Sequence, residues 1–166
     1  MKTYVLTVSR YFPKTHKRAG ELTHFVEKIL DEDDNKFEHP KIHTIRSNYS
    51  LWSKRVYEIQ AGKAILSIRY WSGKPYNSKQ IEICRLDKDS GIVVQVLGFY
   101  WGGKDIVSVI EKPFIIPNDA TGIPPIIPLD ILAKNDGLSI EDFKEWFRKY
   151  DLSKPMAIIH FTSFRY

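Results

Sequence analysis

Two stretches of this chain, one near each end, read as helices from the spacing of their apolar residues. Leu22, Phe25, Val26, Ile29 and Leu30 fall at i, i+3, i+4, i+7 and i+8, one apolar stripe that predicts a helix over residues 20–31. The acidic run Asp31–Asp34 ends it, and a loop closes at Pro40. Ile140, Phe143, Phe147 and Tyr150 make the second stripe, predicting a helix over about 140–150. Ser139 is its expected N-cap, Asp142 stands three residues on, and Pro155 marks the exit. Elsewhere the apolar residues come in short β-branched and aromatic runs that predict strands over residues 3–8, 62–70, 80–86, 91–100 and 156–162. The turn chemistry of Asp87–Gly91 predicts that the third and fourth of these form a hairpin. Residues 112–128 hold five prolines, a density that predicts an irregular segment, either a lid or a wrap over the fold. The chain lacks the βαβ alternation of a doubly wound sheet, so the fold class expected is α+β, a small mixed β-barrel flanked by two or three helices.

A chain of 166 residues fits one domain with a real core. Cys84 is the only cysteine, which excludes an internal disulfide and a cysteine-based zinc site. The start, Met1–Leu6, is too short and too polar beyond Leu6 for a signal peptide, and no apolar run approaches the roughly 20 residues that cross a bilayer. The expected location is cytoplasmic, away from membranes. Net charge is only +5, but eight of the basic residues lie in residues 41–79 against the single acid Glu58. That block is either a solvated face or a positive surface for an anionic partner.

The block opens with Lys41-Ile42-His43-Thr44-Ile45-Arg46. As a strand it would put Ile42, Thr44 and Arg46 on one face and Lys41, His43 and Ile45 on the other, although Pro40 relaxes this rule at Lys41. The segment reads either as an ordinary basic strand or as a wall that recognises phosphate or carbonyl groups through an ammonium, a hydroxyl and a guanidinium. Arg69–Lys79 interleaves three aromatics with three cations around Gly73 and Pro75. It is either a hairpin tip with its rings packed inward or a base-stacking platform, with Arg69, Trp71, Lys74, Tyr76 and Ser78 as candidates. Asn48–Arg55 is a similar mixture, and Tyr100–Lys104 reads as core packing followed by a turn. No Walker loop, Gly-x-Ser-x-Gly elbow or HExxH motif is present. His160 is expected to be a satisfied core histidine and Cys84 a buried hydrophobe.

Taken in order, these features resemble the ASCH superfamily over nearly the whole chain. Lys41, Thr44 and Arg46 match its Lys-x-x-Thr-x-Arg motif, residues 59–66 resemble the strand that follows, and Asn135-Asp136-Gly137-Leu138-Ser139 resembles the Glu-Gly-Phe segment before its last helix. The resemblance implies a single PUA-like domain over residues 1–166, with insertions near 9–40, 70–79 and 112–128. It implies RNA, a nucleotide or a nucleoside as partner, held in a basic, aromatic-lined cleft beside the barrel. The alternative it implies is an amidohydrolase that removes the acetyl group of N4-acetylcytidine. In such members a lysine, a threonine and a glutamate do the chemistry, and these fall on Lys41, Thr44 and Asp136, the last a methylene shorter. Thr44 would then be the nucleophile, Lys41 its base once burial or nearby cations lower its pKa, and Asp136 the group that orients Lys41. Arg46 would stabilise an oxyanion or hold a phosphate. No cofactor and no metal are expected.

Overall fold

The computed structural model describes residues 1–30, 37–102, 109–115 and 126–166, with the backbone alone at 100–102 and 109–114. Among these residues the chain is mixed α+β, with seven strands and four helices. β1 (Lys2–Thr7) lies parallel to β3 (Ala64–Trp71), and β3 lies antiparallel to β4 (Gln80–Leu86), giving a three-stranded sheet. The second sheet has the order β2 (His43–Arg46), β7 (Met156–His160), β5 (Val93–Gly102), β6 (Val109–Ile115), all antiparallel. β7 is buried at every residue, as an apolar strand covered on both faces must be.

Two helices escape the two-stripe reading. α2 (Tyr49–Gln60) buries Trp52, Val56 and Ile59, spaced i, i+4 and i+7, and packs against β3 of one sheet and β5 and β7 of the other. α3 (Leu129–Asn135) starts directly after Pro128 and buries Leu132 and Ala133. α4 (Ile140–Phe147) appears where its stripe and cap predict, with the Ser139 hydroxyl accepting from Asp142 N at 3.1 Å. α1 begins later than expected, at Phe25, and is described over Phe25–Leu30. Leu22 is instead exposed and bridges Tyr11, because residues 10–23 fold back on themselves through bonds such as Phe12 N to Glu21 O. The acidic run at 31–34 lies outside the described residues, as does Gly103-Lys104.

Three expectations of arrangement need correction. The hairpin of residues 80–86 and 91–100 does not form: β4 and β5 belong to different sheets, and the Asp87–Gly91 turn carries the chain from one to the other. β5 pairs instead with the fully buried β7, which removes more apolar surface from water than the half-exposed β4 offers. The strand pairing closes no barrel among the described residues, and α2 spans the two sheets where a continuous ladder was expected. Residues 112–115 are not irregular but end β6, with Pro113 opposite Phe99. Among the described residues β6 is an outer strand, a place in a sheet where a missing N–H is tolerated. Of the rest of the expected lid or wrap, residues 116–125 lie outside the description, and 126–128 lead into α3 with Ile127 buried.

Candidate functional site

The strand β2 and the turn between α3 and α4 meet edge on. Ile42 N donates to Asn135 O at 3.0 Å, and Lys41 and Asp136 form an isolated antiparallel bridge. Asn135 ends α3, Gly137 at φ +81° reverses the chain, and Ser139 caps α4. This turn fixes Asp136 beside Lys41. A side chain at 137 would be strained by that φ, and its Cβ would stand 3.1 Å from Lys41 Cβ.

Lys41 is almost fully buried. Its ammonium donates to Asp136 Oδ1 at 2.9 Å and to Asp136 O at 2.7 Å, and lies 4.0 Å from the centre of the Phe25 ring. Burial lowers its pKa from the ordinary lysine value, against the pull of Asp136, and Arg46 adds to the lowering. Burial pushes Asp136 upward, but Lys41 and His43 outweigh it, so this carboxylate stays ionised below its usual range. Lys28 donates to Gly137 O at 2.7 Å, and burial followed by repulsion from Lys41 lowers its pKa as well.

Thr44 is 3% exposed and makes no side-chain hydrogen bond among the described residues. Lys41, Thr44, Arg46 and Asp136 together line a cavity of about 20 Å³, room for a water molecule. Strict alternation would have set Lys41 on the face opposite Thr44. Lys41 escapes it because it precedes β2 and is held by its bridge to Asp136. His43 obeys the rule and points the other way, its Nε2 2.8 Å from the Tyr166 hydroxyl and its Nδ1 3.6 Å from Asp136 Oδ1.

Arg46, Ser9 and Trp146 also border a larger cavity of about 400 Å³, whose wall includes Trp52 and Tyr150. Arg46 donates to Thr7 O at 2.6 Å, which leaves most of its guanidinium donors for a ligand. Through Thr7, Ser9 and Pro13 this cavity adjoins a third, of about 600 Å³, lined by Arg10, Lys14, Trp71 and Tyr76. The Trp71 and Tyr76 rings lie 5.3 Å apart at its edge.

The remaining candidates of the 69–79 segment are elsewhere. Arg69 turns to Ser67 Oγ at 2.7 Å and Glu82 at 3.8 Å. Ser78 Oγ accepts from Gly73 N and donates to Lys74 O, so Ser78 and the Lys74 backbone hold the turn together. Neither Arg69, Lys74 nor Ser78 lines the three cavities. The Asn48–Arg55 mixture is the first half of α2, with Asn48 as its cap, Trp52 inward and Arg55 over the Trp52 and Tyr4 rings. His160 is buried but not satisfied: neither ring nitrogen has a hydrogen-bond partner among the described residues, and burial lowers its pKa to about 3. Cys84 is half-buried.

Sequence reasoning missed His43, Tyr166, Trp146 and Arg10. His43 lay inside the motif and was legible as an alternating inward residue, whereas nothing local marks Tyr166. Among the described residues no group of three or more His, Cys, Asp or Glu is arranged to hold a metal, and no helix is long and apolar enough to cross a membrane. What the fold presents is a buried lysine, threonine and aspartate at the inner end of an aromatic-walled cleft with one arginine at the junction. No protein-family model, curated protein or solved structure matches the chain.

Proposed function

We propose that the protein is an ASCH-type, PUA-like domain that binds a nucleoside or nucleotide in the cavity beside Arg46. One observation carries this reading: a cavity of about 400 Å³ in which a guanidinium faces the side chains of Trp52, Trp146 and Tyr150. Small-molecule sites have this size, and the wall here sets aromatic rings among polar groups, Thr7, Ser9, Thr15 and Arg46. Aromatic rings offer faces to a base, and the guanidinium offers paired donors to a phosphate or base carbonyl. The adjoining groove with Trp71, Tyr76, Arg10 and Lys14 supplies a second stacking and charge site, as a neighbouring nucleotide of an RNA strand requires. The test is quenching of tryptophan fluorescence by cytidine monophosphate and by a short single-stranded RNA. Tyr150→Ala and Arg46→Lys are expected to weaken binding of the monophosphate by roughly tenfold, the cost of one stacking or bidentate partner. Trp71→Ala should weaken the RNA alone, and the RNA affinity should fall with added salt. Absence of any ligand-dependent signal across nucleotides and RNAs sinks the proposal.

The convergence of Lys41, Thr44 and Asp136 on one small cavity favours a second reading, hydrolysis of an acylated nucleoside of the N4-acetylcytidine type. The base would lie in the outer cavity, and its acyl group would enter past Arg46 toward Thr44. Neutral Lys41 would take the Thr44 proton as the hydroxyl oxygen attacks the amide carbon, with Arg46 facing the developing oxyanion. The C–N4 bond then breaks as Lys41 returns that proton to the departing cytidine amine, and water attacks the acetyl-threonine ester to release acetate and restore Thr44. Cytidine released from N4-acetylcytidine, and lost in Thr44→Ala, is the expected result; no release at high enzyme concentration would falsify it.

A further inference from the structure

Behind the inner cavity a line of polar groups runs from α3 to Lys41. Asn135 Nδ2 donates to the Tyr166 hydroxyl at 3.0 Å, and that hydroxyl stands 2.8 Å from His43 Nε2. Burial holds the Tyr166 phenol above its usual range, so its proton stays on and has one acceptor in reach, His43 Nε2. The proton of a neutral His43 ring is then on Nδ1, 3.6 Å from the same Asp136 oxygen that takes Lys41. That gap is longer than a hydrogen bond, and among the described residues Nδ1 has no other partner. Tyr166 is fastened by a two-way clasp, its N–H donating to Gln95 Oε1 at 3.1 Å and Gln95 Nε2 donating to its main-chain oxygen at 3.3 Å. His160, edge-on to His43 with ring centres 5.6 Å apart, disfavours a charge on either ring.

We propose that His43 and Tyr166 are positioning residues for the Lys41–Asp136 pair: Tyr166 fixes His43 as the Nδ1–H tautomer, and that N–H closes on Asp136 Oδ1 when Lys41 gives up its proton. The proposal rests on the hydrolytic reading of the inner cavity. Lys41 must be neutral to accept the Thr44 proton, and a neutral amine leaves a buried carboxylate without its cation. His43 supplies the replacement donor and transfers no proton itself. The charged or titratable groups facing Lys41 are Asp136, His43, Arg46 and Lys28, and His160 and Tyr166 face His43 from the other side. Among them, only His43 presents an unbonded N–H to the carboxylate.

The first test is nitrogen NMR of histidine-labelled protein, which reads the tautomer directly. His43 is expected as Nδ1–H, and an Nε2–H ring in the unaltered protein overturns the proposal. The second follows Lys41 by carbon NMR of labelled lysine, assigned through Lys41→Arg. In Tyr166→Phe, which keeps the ring and removes only the hydroxyl, the Lys41 titration should move to higher pH. With N4-acetylcytidine, kcat at neutral pH should fall by roughly ten- to a hundredfold with KM unchanged, the range found for partners that orient a working group. His43→Asn, whose amide N–H falls near Nδ1, should restore the Lys41 titration where His43→Leu does not. A Lys41 titration unmoved in Tyr166→Phe overturns the proposal. If the unaltered protein shows no turnover while both NMR results hold, the hydrolytic reading falls and the positioning of Lys41 stands.

Discussion

Lys41 and Asp136 are each buried with a full charge, and each is tolerable only because of the other. Lys41→Met removes the cation and strands the carboxylate, which should lower stability by about 3–5 kcal/mol in urea unfolding. The double variant Lys41→Met/Asp136→Leu should recover most of that loss, because two apolar groups at a buried pair leave nothing uncompensated. A double variant as unstable as the single one would show that the turn, not the charge, is what Asp136 serves. Lys41 and Thr44 were legible in a short basic segment, whereas Asp136 was picked out only by the resemblance of Asn135–Ser139 to a family segment. Their meeting in one cavity depends on a backbone bridge between positions 41 and 136 that no local pattern encodes. The meeting of His43 with Asp136 and Tyr166 was hidden for the same reason, and the unsatisfied state of His160 could not be read from a residue that sits in an ordinary apolar strand.

Elements were most legible where side-chain period and cap agree. α4 has both, and Ser139→Ala should cost about 1 kcal/mol in thermal or urea unfolding while Ser139→Asp costs little. α2 also has both, with Asn48 at φ 62° accepting from Leu51 N and Trp52, Val56 and Ile59 at helical spacing. It was obscured because the same eight residues look like a cation–aromatic surface mixture, and a face alternating with Lys54 and Arg55 suits both readings. The stripe at 22–30 misled in the opposite direction. Leu22 satisfies the period, yet Thr23 spends its hydroxyl on Ser9 O and on Phe25 N, and His24 adopts φ 58°, so the helix begins only after them. Strand positions survived well, but strand partners did not. The hairpin expectation for β4 and β5 used proximity along the chain, and burial of β7 decided otherwise.

For the molecule as a whole, the buried histidines set the response to acid. His160 is held down to about 3 by burial, with His43 and Arg165 adding to it, and burial lowers His43 too. An unfolded chain binds these protons as pH falls below the ordinary histidine value of about 6.5, and the folded one resists. Their contribution is therefore fully present above that pH and is lost as pH falls toward the folded value. The slope should approach about 1.4 kcal/mol per pH unit for each histidine inside that window. Urea midpoints between about pH 7 and pH 4 check this, and His160→Phe should flatten the acid limb. A limb equally steep in that variant would place the acid sensitivity elsewhere.

The pairing of β2 with β7 joins His43 to His160 and Thr44 to Ile159. During synthesis, the strand that carries the motif must wait at the edge of nothing until β7 has left the ribosome. Its apolar residues and its buried-charge lysine stay open to water and to other nascent chains for most of that time. Contacts this far apart in the chain also form slowly once both partners exist. The cleft thus comes into being only once β7 has joined β2, and a ligand of the proposed kind would report that this pairing is complete.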